Sequence, residues 1–335
     1  MDKTIRKRFN ADILAAAGRY YGLEPADLRE LSAAESFIFA YKREGQAYIL
    51  RLAHSVRRNE TLIRGEVDWI NYLAAHGVSV ARAVTSARGR LVEQIPDGHG
   101  GHFITTSFVR APGNNPFRNG QWGVKLFAQY GQTIGRMHAL SKQYVPNPAG
   151  QRGHWNDPGH LNVLPWLPPG DKKIAGKFID LVAHIQTFPK NIGTYGMIHQ
   201  DAHAGNFFVD EKGQMTLFDF DDCVYGWYVY DLAMVLFYAV TNVPEPETFG
   251  REFFTHFLRG YRTENSLPPE WSTQTPYFLK LREIDLYAQI HRIFDVDNLD
   301  DPWVADYMSG RRERILNDIP YLALDWTMFE PANKY

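Results

Sequence analysis

Three side chains at fixed offsets could do chemistry together. His199, Asp201 and Asn206 stand as H-x-D-x-x-x-x-N, and an Asp219-Phe220-Asp221 triplet follows one short strand later. A carboxylate able to take a hydroxyl proton, beside an amide oxygen and further carboxylates, is the layout of a phosphoryl-transfer site. Asp201 is the candidate base. Asn206, Asp219 and Asp221 are the candidate ligands of a hard, oxygen-seeking ion such as Mg²⁺. The offsets alone arise by chance in roughly a few per cent of chains of this size, so the weight rests on the elements around them.

Those elements read as a β-hairpin. Asn206 to Val209 and Met215 to Phe218 are apolar strands, and Asp210-Glu211-Lys212-Gly213 between them is turn chemistry. A tight turn pairs 206 with 219 and sets their Cα atoms about 5 Å apart. Asp221, two residues on, projects from the same side as Asp219.

The stretch resembles the aminoglycoside phosphotransferase and choline kinase-like phosphotransferase enzyme family, part of the protein-kinase-like superfamily. The resemblance runs from about residue 28 to about residue 320, with the hairpin and the helix near Asp231 carrying it best. One departure is Gln200, where the family usually has Gly. The resemblance implies an α+β, two-lobed protein-kinase-like fold: a small antiparallel sheet with one helix over residues 1–110, then a mainly helical lobe over 111–335 that carries the catalytic loop and the acceptor site. It implies ATP and Mg²⁺ as cofactors. The expected activity is transfer of the γ-phosphoryl group to a hydroxyl of a small molecule of amino alcohol, aminoglycoside, homoserine or sugar type. A Ser/Thr protein kinase of the bacterial stress-response type and a nucleotide-binding pseudokinase scaffold are the alternatives.

Further positions take meaning from that frame. Arg51, in the strand Ala47 to Leu52, reads by itself as a surface cation; the resemblance implies that it steadies the α- and β-phosphates. Glu66 lies on an inward stripe of the helix Thr61 to Ala75 with Leu62, Ile63, Ile70 and Leu73, and an acid there needs a partner, for which Arg51 is the candidate. The loop at 33–36 occupies the place of the nucleotide-covering loop but has no glycine, leaving Ser36 and backbone N–H groups to meet a phosphate. The run Phe103 to Arg110 ends the small lobe, and its last residues, Phe108, Val109 and Arg110 among them, stand for the hinge that holds adenine by backbone hydrogen bonds. His199 is expected to support the loop from the core. Asp231 is expected to cap the following helix and to steady the catalytic loop from below, and the role of His203 is open.

Composition fits this class. The 335 residues are 44% hydrophobic, enough for a substantial core, and the net charge of −2 supplies no field for nucleic acid or an anionic membrane. Cys223 is the single cysteine, so no internal disulfide forms and the chain reads as cytoplasmic; a packed thiol is the simplest account of it. No run approaches the length of a membrane span. The start, Lys3 to Arg8, faintly suggests a signal n-region that nothing after it completes.

The rest is scaffold. Helices are expected at 10–22 with Asn10 as cap, from Trp122 to Leu140 with Gly131 and Gly135 permitting close packing, from Ile174 to Phe188, from Phe249 to Tyr261 and over 276–294. In the last of these Arg282, Asp285, Gln289 and Arg292 could share one stripe. His138 is expected to be structural. His99 and His102 read as a turn without further metal ligands. The acids between Asp295 and Asp301 read as a solvated loop, with a cationic amine as the alternative partner.

Overall fold

A computed structural model describes residues 3–32, 35–118 and 120–330. The loop expected at 33–36 lies partly outside the described residues. The chain divides into two compact units. The first holds the residues up to 113 together with 144–152 and 216–221; the second holds the remainder.

In the first unit α1 (Lys3–Arg8) and α2 (Ala11–Tyr20) precede the sheet. The basic start is therefore a helix, with Ile5 buried in the core. Asn10 caps α2 as expected, its side chain accepting the N–H groups of Asp12 and Ile13. Gly22 ends that segment at a positive φ of 68°. The strands are β1 (Arg29–Ser32), β2 (Phe37–Arg43), β3 (Gln46–His54), β4 (Ala83–Val84), β5 (Glu93–Pro96) and β6 (His102–Val109), and α3 (Glu60–Ala75) sits between β3 and β4. The sheet is antiparallel in the order β1-β2-β3-β6-β4, with β5 also on β6. Its apolar face, Phe37, Phe39, Tyr41, Leu50, Leu52 and Phe103, buries against Ile13 and Ala17 of α2 and Tyr21 just after it. Asn59 caps α3 through the N–H of Leu62.

The second unit is mainly helical: α4 (Val124–Ser141), α5 (Lys172–Gln186), α6 (Tyr228–Val240), α7 (Pro246–Tyr261), α8 (Trp271–Ile293), α9 (Pro302–Met308) and α10 (Arg311–Leu316). The short strands β7 (Tyr195–Ile198) and β10 (Val224–Trp227) pair with each other, as do β8 (Phe207–Val209) and β9 (Met215–Leu217). α4 and α7 pack at backbone contact. A Cβ placed on Gly131 would lie 1.8 Å from the Phe257 carbonyl oxygen, and one on Gly260 would lie 1.8 Å from that of Ala128. Cys223 is buried. No described helix is long and apolar enough to cross a membrane.

Candidate active site

The hairpin sets the spacing. Asp210 closes its turn: its Oδ1 accepts the N–H groups of Lys212 (2.9 Å) and Gln214 (2.7 Å), and its own N–H reaches the Gln214 carbonyl. Just before β8, the amide nitrogen of Asn206 donates to the Asp201 carbonyl (2.8 Å) and to Asp201 Oδ2 (3.0 Å). That orientation turns the Asn206 oxygen the other way, and an amide oxygen is a donor type that a hard cation accepts.

Asp201 lies in a loop fixed from three sides. The Asp231 carboxylate, fully buried, accepts the N–H of Gln200 on Oδ1 (2.6 Å) and the N–H of His199 on Oδ2 (2.8 Å). The Tyr130 hydroxyl donates to the Ala202 carbonyl. His138 Nε2 completes the shell of Asp231 at 3.1 Å, while His138 Nδ1 meets the Tyr261 hydroxyl at 3.0 Å, and Asn265 donates to that hydroxyl at 2.7 Å. Burial holds His138 below its ordinary pKa, with Asp231 opposing that shift. A neutral ring with its proton on Nε2 satisfies every partner in the chain. Asp231 does not cap α6, which starts three residues earlier at Tyr228; its side chain points back at the catalytic loop instead. Gln200 adopts φ +67°, where glycine sits without strain, which explains why the family's usual Gly is a fitting residue there.

Around the Asp201 carboxylate, His203 Nδ1 accepts the Gly205 N–H (2.9 Å), so the ring carries its proton on Nε2, 3.5 Å from Asp201 Oδ2. Arg282 of α8 stands 3.9 Å from Asp201 Oδ1. Burial would raise the Asp201 carboxyl, but His203, Arg282 and His199 outweigh it and hold it below its ordinary value. Asp201 is thus a carboxylate at neutral pH, a quarter exposed and able to meet a hydroxyl.

In the sheet unit Arg51 and Glu66 form a buried two-armed pair, Nη1 to Oε1 at 2.7 Å and Nη2 to Oε2 at 2.6 Å. The Arg51 guanidinium also lies over the Phe108 ring, 5.0 Å from its centroid. Burial opposes its charge, yet Glu66 first, then Asp221 and Asp219, raise its pKa further. Asp221 is ringed by cations: Arg57 bridges it, Arg51 is at 3.7 Å and Arg58 at 3.5 Å. Arg152 donates to the Asp221 backbone carbonyl at 2.6 Å. Burial would raise the Asp221 carboxyl; Arg57, Arg51, Arg58 and Arg152 drive it well below the usual range. Asp219 differs. It is exposed, at φ +62°, beside the buried Phe220. The end of β9 joins this unit through Ser79 to Ala81, which exchange backbone hydrogen bonds with Leu217.

Val109 donates its N–H to the Arg82 carbonyl (2.9 Å) and Arg110 donates to that of Ala47 (3.0 Å), so neither N–H is available to a nucleobase. The acids after α8 serve their own loop: Asp295 accepts from Asn298 and Asp297, and Asp301 caps α9. Ser36 is buried just before β2. Among the described residues no three His, Cys, Asp or Glu side chains form a ready metal cage. The arginine ring around Asp221 and the Asp231–His138–Tyr261 chain were missed from sequence; their members lie tens of residues apart, with no local signal joining them.

Comparisons with known proteins show the family. The profile of the family described as "Phosphotransferase enzyme family" matches residues 27–272. Amicoumacin kinase of Bacillus subtilis (strain 168) is 35% identical over 331 residues, covering 97% of this chain and 98% of that protein. The solved structure of amicoumacin kinase hAmiN in complex with AMP-PNP, Ca²⁺ and Ami superimposes with a TM-score of 0.92 at 34% identity, over 98% of this chain and 100% of that one. A microcompartment-associated aminopropanol kinase shares the fold, with a TM-score of 0.73 at 22% identity over 92% of this chain and 98% of that one. The fold is protein-kinase-like and α+β.

Proposed function

We propose that this chain, which belongs to the phosphotransferase enzyme family, moves the γ-phosphoryl group of ATP to a hydroxyl of an amine-bearing small molecule, with amicoumacin as the first acceptor to test. The chain is a kinase with an alcohol acceptor. The acceptor oxygen bonds to the γ-phosphorus, the bond from that phosphorus to the β,γ-bridging oxygen breaks, ADP leaves, and the hydroxyl proton passes to Asp201. The observation that carries this reading is the Asp201 carboxylate, ionised and part-exposed, fixed by Asn206 on one side and by the Asp231-pinned loop on the other. Such fixed placement is most of what phosphoryl transfer asks of a protein.

The remaining roles follow the same reading. Arg51, anchored by Glu66, steadies the nucleotide phosphates. Asn206 and Asp219 hold the divalent ion, taken as Mg²⁺. Such an ion needs only one or two protein oxygens beside the phosphates. Bound there, it neutralises charge on the β- and γ-phosphates. Asp221 is matched by arginines and organises that cationic frame beside the proposed ion. Ser36 meets phosphate at the covering loop. Phe108 lines the base site, and the adenine donor comes from the backbone beyond Arg110. Residues 1–110 carry the nucleotide and 111–335 the acceptor.

The amicoumacin kinase resemblance over nearly the whole of both chains supports the acceptor class. The test is ADP release with amicoumacin, 1-amino-2-propanol, choline, homoserine and spectinomycin, with Asp201→Asn as the blank. At least one acceptor should give turnover, and Asp201→Asn should lose about 10²-fold or more while keeping its thermal shift with ATP and Mg²⁺. No acceptor-dependent release, or a fully active Asp201→Asn, overturns the assignment.

A further inference from the structure

We propose that Arg282 orients the acceptor hydroxyl against Asp201 and sets the rate of transfer; this rests on the kinase reading above, with Asp201 as the base. The two oxygens of Asp201 are not equivalent. Oδ2 is taken by the Asn206 amide at 3.0 Å, with His203 Nε2 at 3.5 Å. Oδ1 faces Arg282 Nη2 across 3.9 Å. That gap is too long for a direct hydrogen bond. It is the right width for one oxygen atom lying within hydrogen-bond reach of both groups. A hydroxyl there gives its proton to Oδ1 and accepts from the guanidinium, which aims its lone pair.

The guanidinium is held for this. Nη1 is fixed by Asp285 Oδ2 at 2.5 Å, and that same oxygen takes the Gln289 amide at 2.9 Å. The Tyr238 hydroxyl receives Nη2, and the Tyr238 ring lies beneath the cation, 5.3 Å from its centroid. Asp285 is buried, and the Arg282 side chain is only 12% exposed. A planar, permanently charged group set among an acid, an amide and an aromatic face keeps one orientation, which the flexible ammonium of lysine would not. The stripe of Arg282, Asp285 and Gln289 on α8 thereby gains a purpose: the second and third position the first. On the same side His203 is 4.7 Å from Tyr238, and Tyr238 stacks on the exposed Trp303 at 6.5 Å.

The test compares wild type, Arg282→Ala, Arg282→Lys and Asp201→Asn, using amicoumacin or whichever acceptor of the panel turns over fastest. Arg282→Ala should lose kcat on the order of 10²-fold, the scale expected for a misplaced reactant, with KM for ATP within twofold of wild type. Added guanidinium chloride at millimolar concentration should restore at least about tenfold of that loss, which refolding of a merely structural residue would not do. If Arg282→Ala melts early, Arg282→Lys carries the test: it keeps the charge and should fold, yet should lose at least about tenfold in kcat. Full activity of either variant, or a loss in Arg282→Ala that guanidinium leaves untouched while the melt is unchanged, overturns the role. Those results leave the kinase reading standing; an active Asp201→Asn or an empty acceptor panel removes both.

Discussion

Replacing Asp231 by Asn should cost both stability and rate, although the residue touches neither phosphate nor acceptor. Three donors converge on its carboxylate: the Gln200 N–H on Oδ1, and the His199 N–H and His138 Nε2 on Oδ2. Hydrogen bonds to a charged acceptor contribute about 1.5–3 kcal/mol each. Asn has one acceptor oxygen. Its better orientation keeps the oxygen toward His199 and His138 and turns two N–H groups toward the Gln200 N–H, which is then buried without a partner. One lost charged bond and two weakened ones add to about 2–4 kcal/mol, and Asp231→Ala, which abandons all three, should cost about twice that. A domain is stable by only about 5–15 kcal/mol, so the loss is large. The orphaned N–H belongs to Gln200, already at a strained φ and next in sequence to Asp201. We therefore expect kcat to fall by about 10²-fold as the base drifts. Urea denaturation and steady-state ADP release measure the two effects. An Asn variant within 1 kcal/mol of wild type, with kcat within threefold, would refute the reasoning; a stability loss with kcat intact would show that the loop is placed without Asp231.

Other outcomes follow from single contacts. Arg51→Met leaves Glu66 buried without its partner and should destabilise by about 3–5 kcal/mol in urea titration; a change under 1 kcal/mol would mean that Glu66 finds water. Gly131→Ala should force α4 off α7, because the new Cβ falls 1.8 Å from the Phe257 carbonyl oxygen, and should cost about 1–3 kcal/mol or more. Gly176→Ala, in α5 with open space around it, should instead gain about 0.5–1 kcal/mol, so shifts of the same sign in both would contradict the packing argument. His138 binds a proton less readily folded than unfolded, so its contribution is complete above the ordinary histidine value of about 6.5 and is lost as pH falls below it. Over pH 5–7 wild type should lose up to about 1.4 kcal/mol per unit more than His138→Gln; parallel pH profiles would rule this out.

Much of the site was legible because its signals are local. Asn206 follows Asp201 by five residues, and the turn at Asp210 brings the next strand back at once, so spacing alone placed the hairpin. Arg51 and Glu66 needed one further step. An acid on the buried stripe of α3 demands a cation, and the strand before it offers one. Asp221 went the other way. Period-two alternation set it beside Asp219, but Arg57, Arg58 and Arg152 claim it, and arginines from separate segments leave no trace in a local pattern. The helix over Lys3 to Arg8, with Ile5 buried in the core, likewise left no local signal.

The order of residues along the chain was enough to pick out the candidate site residues, the hairpin that spaces them and the small residues of α4, since each depends on neighbours a few positions away. Folding alone decided which distant partners surround those groups. Asp231 reaches back to His199 and Gln200, His138 sits between Asp231 and Tyr261, and Arg282 arrives at Asp201 on a helix far along the chain. Charge and hydrogen-bond partners are chosen by proximity in space, and long-range proximity is a property of the packed core, which no local periodicity encodes.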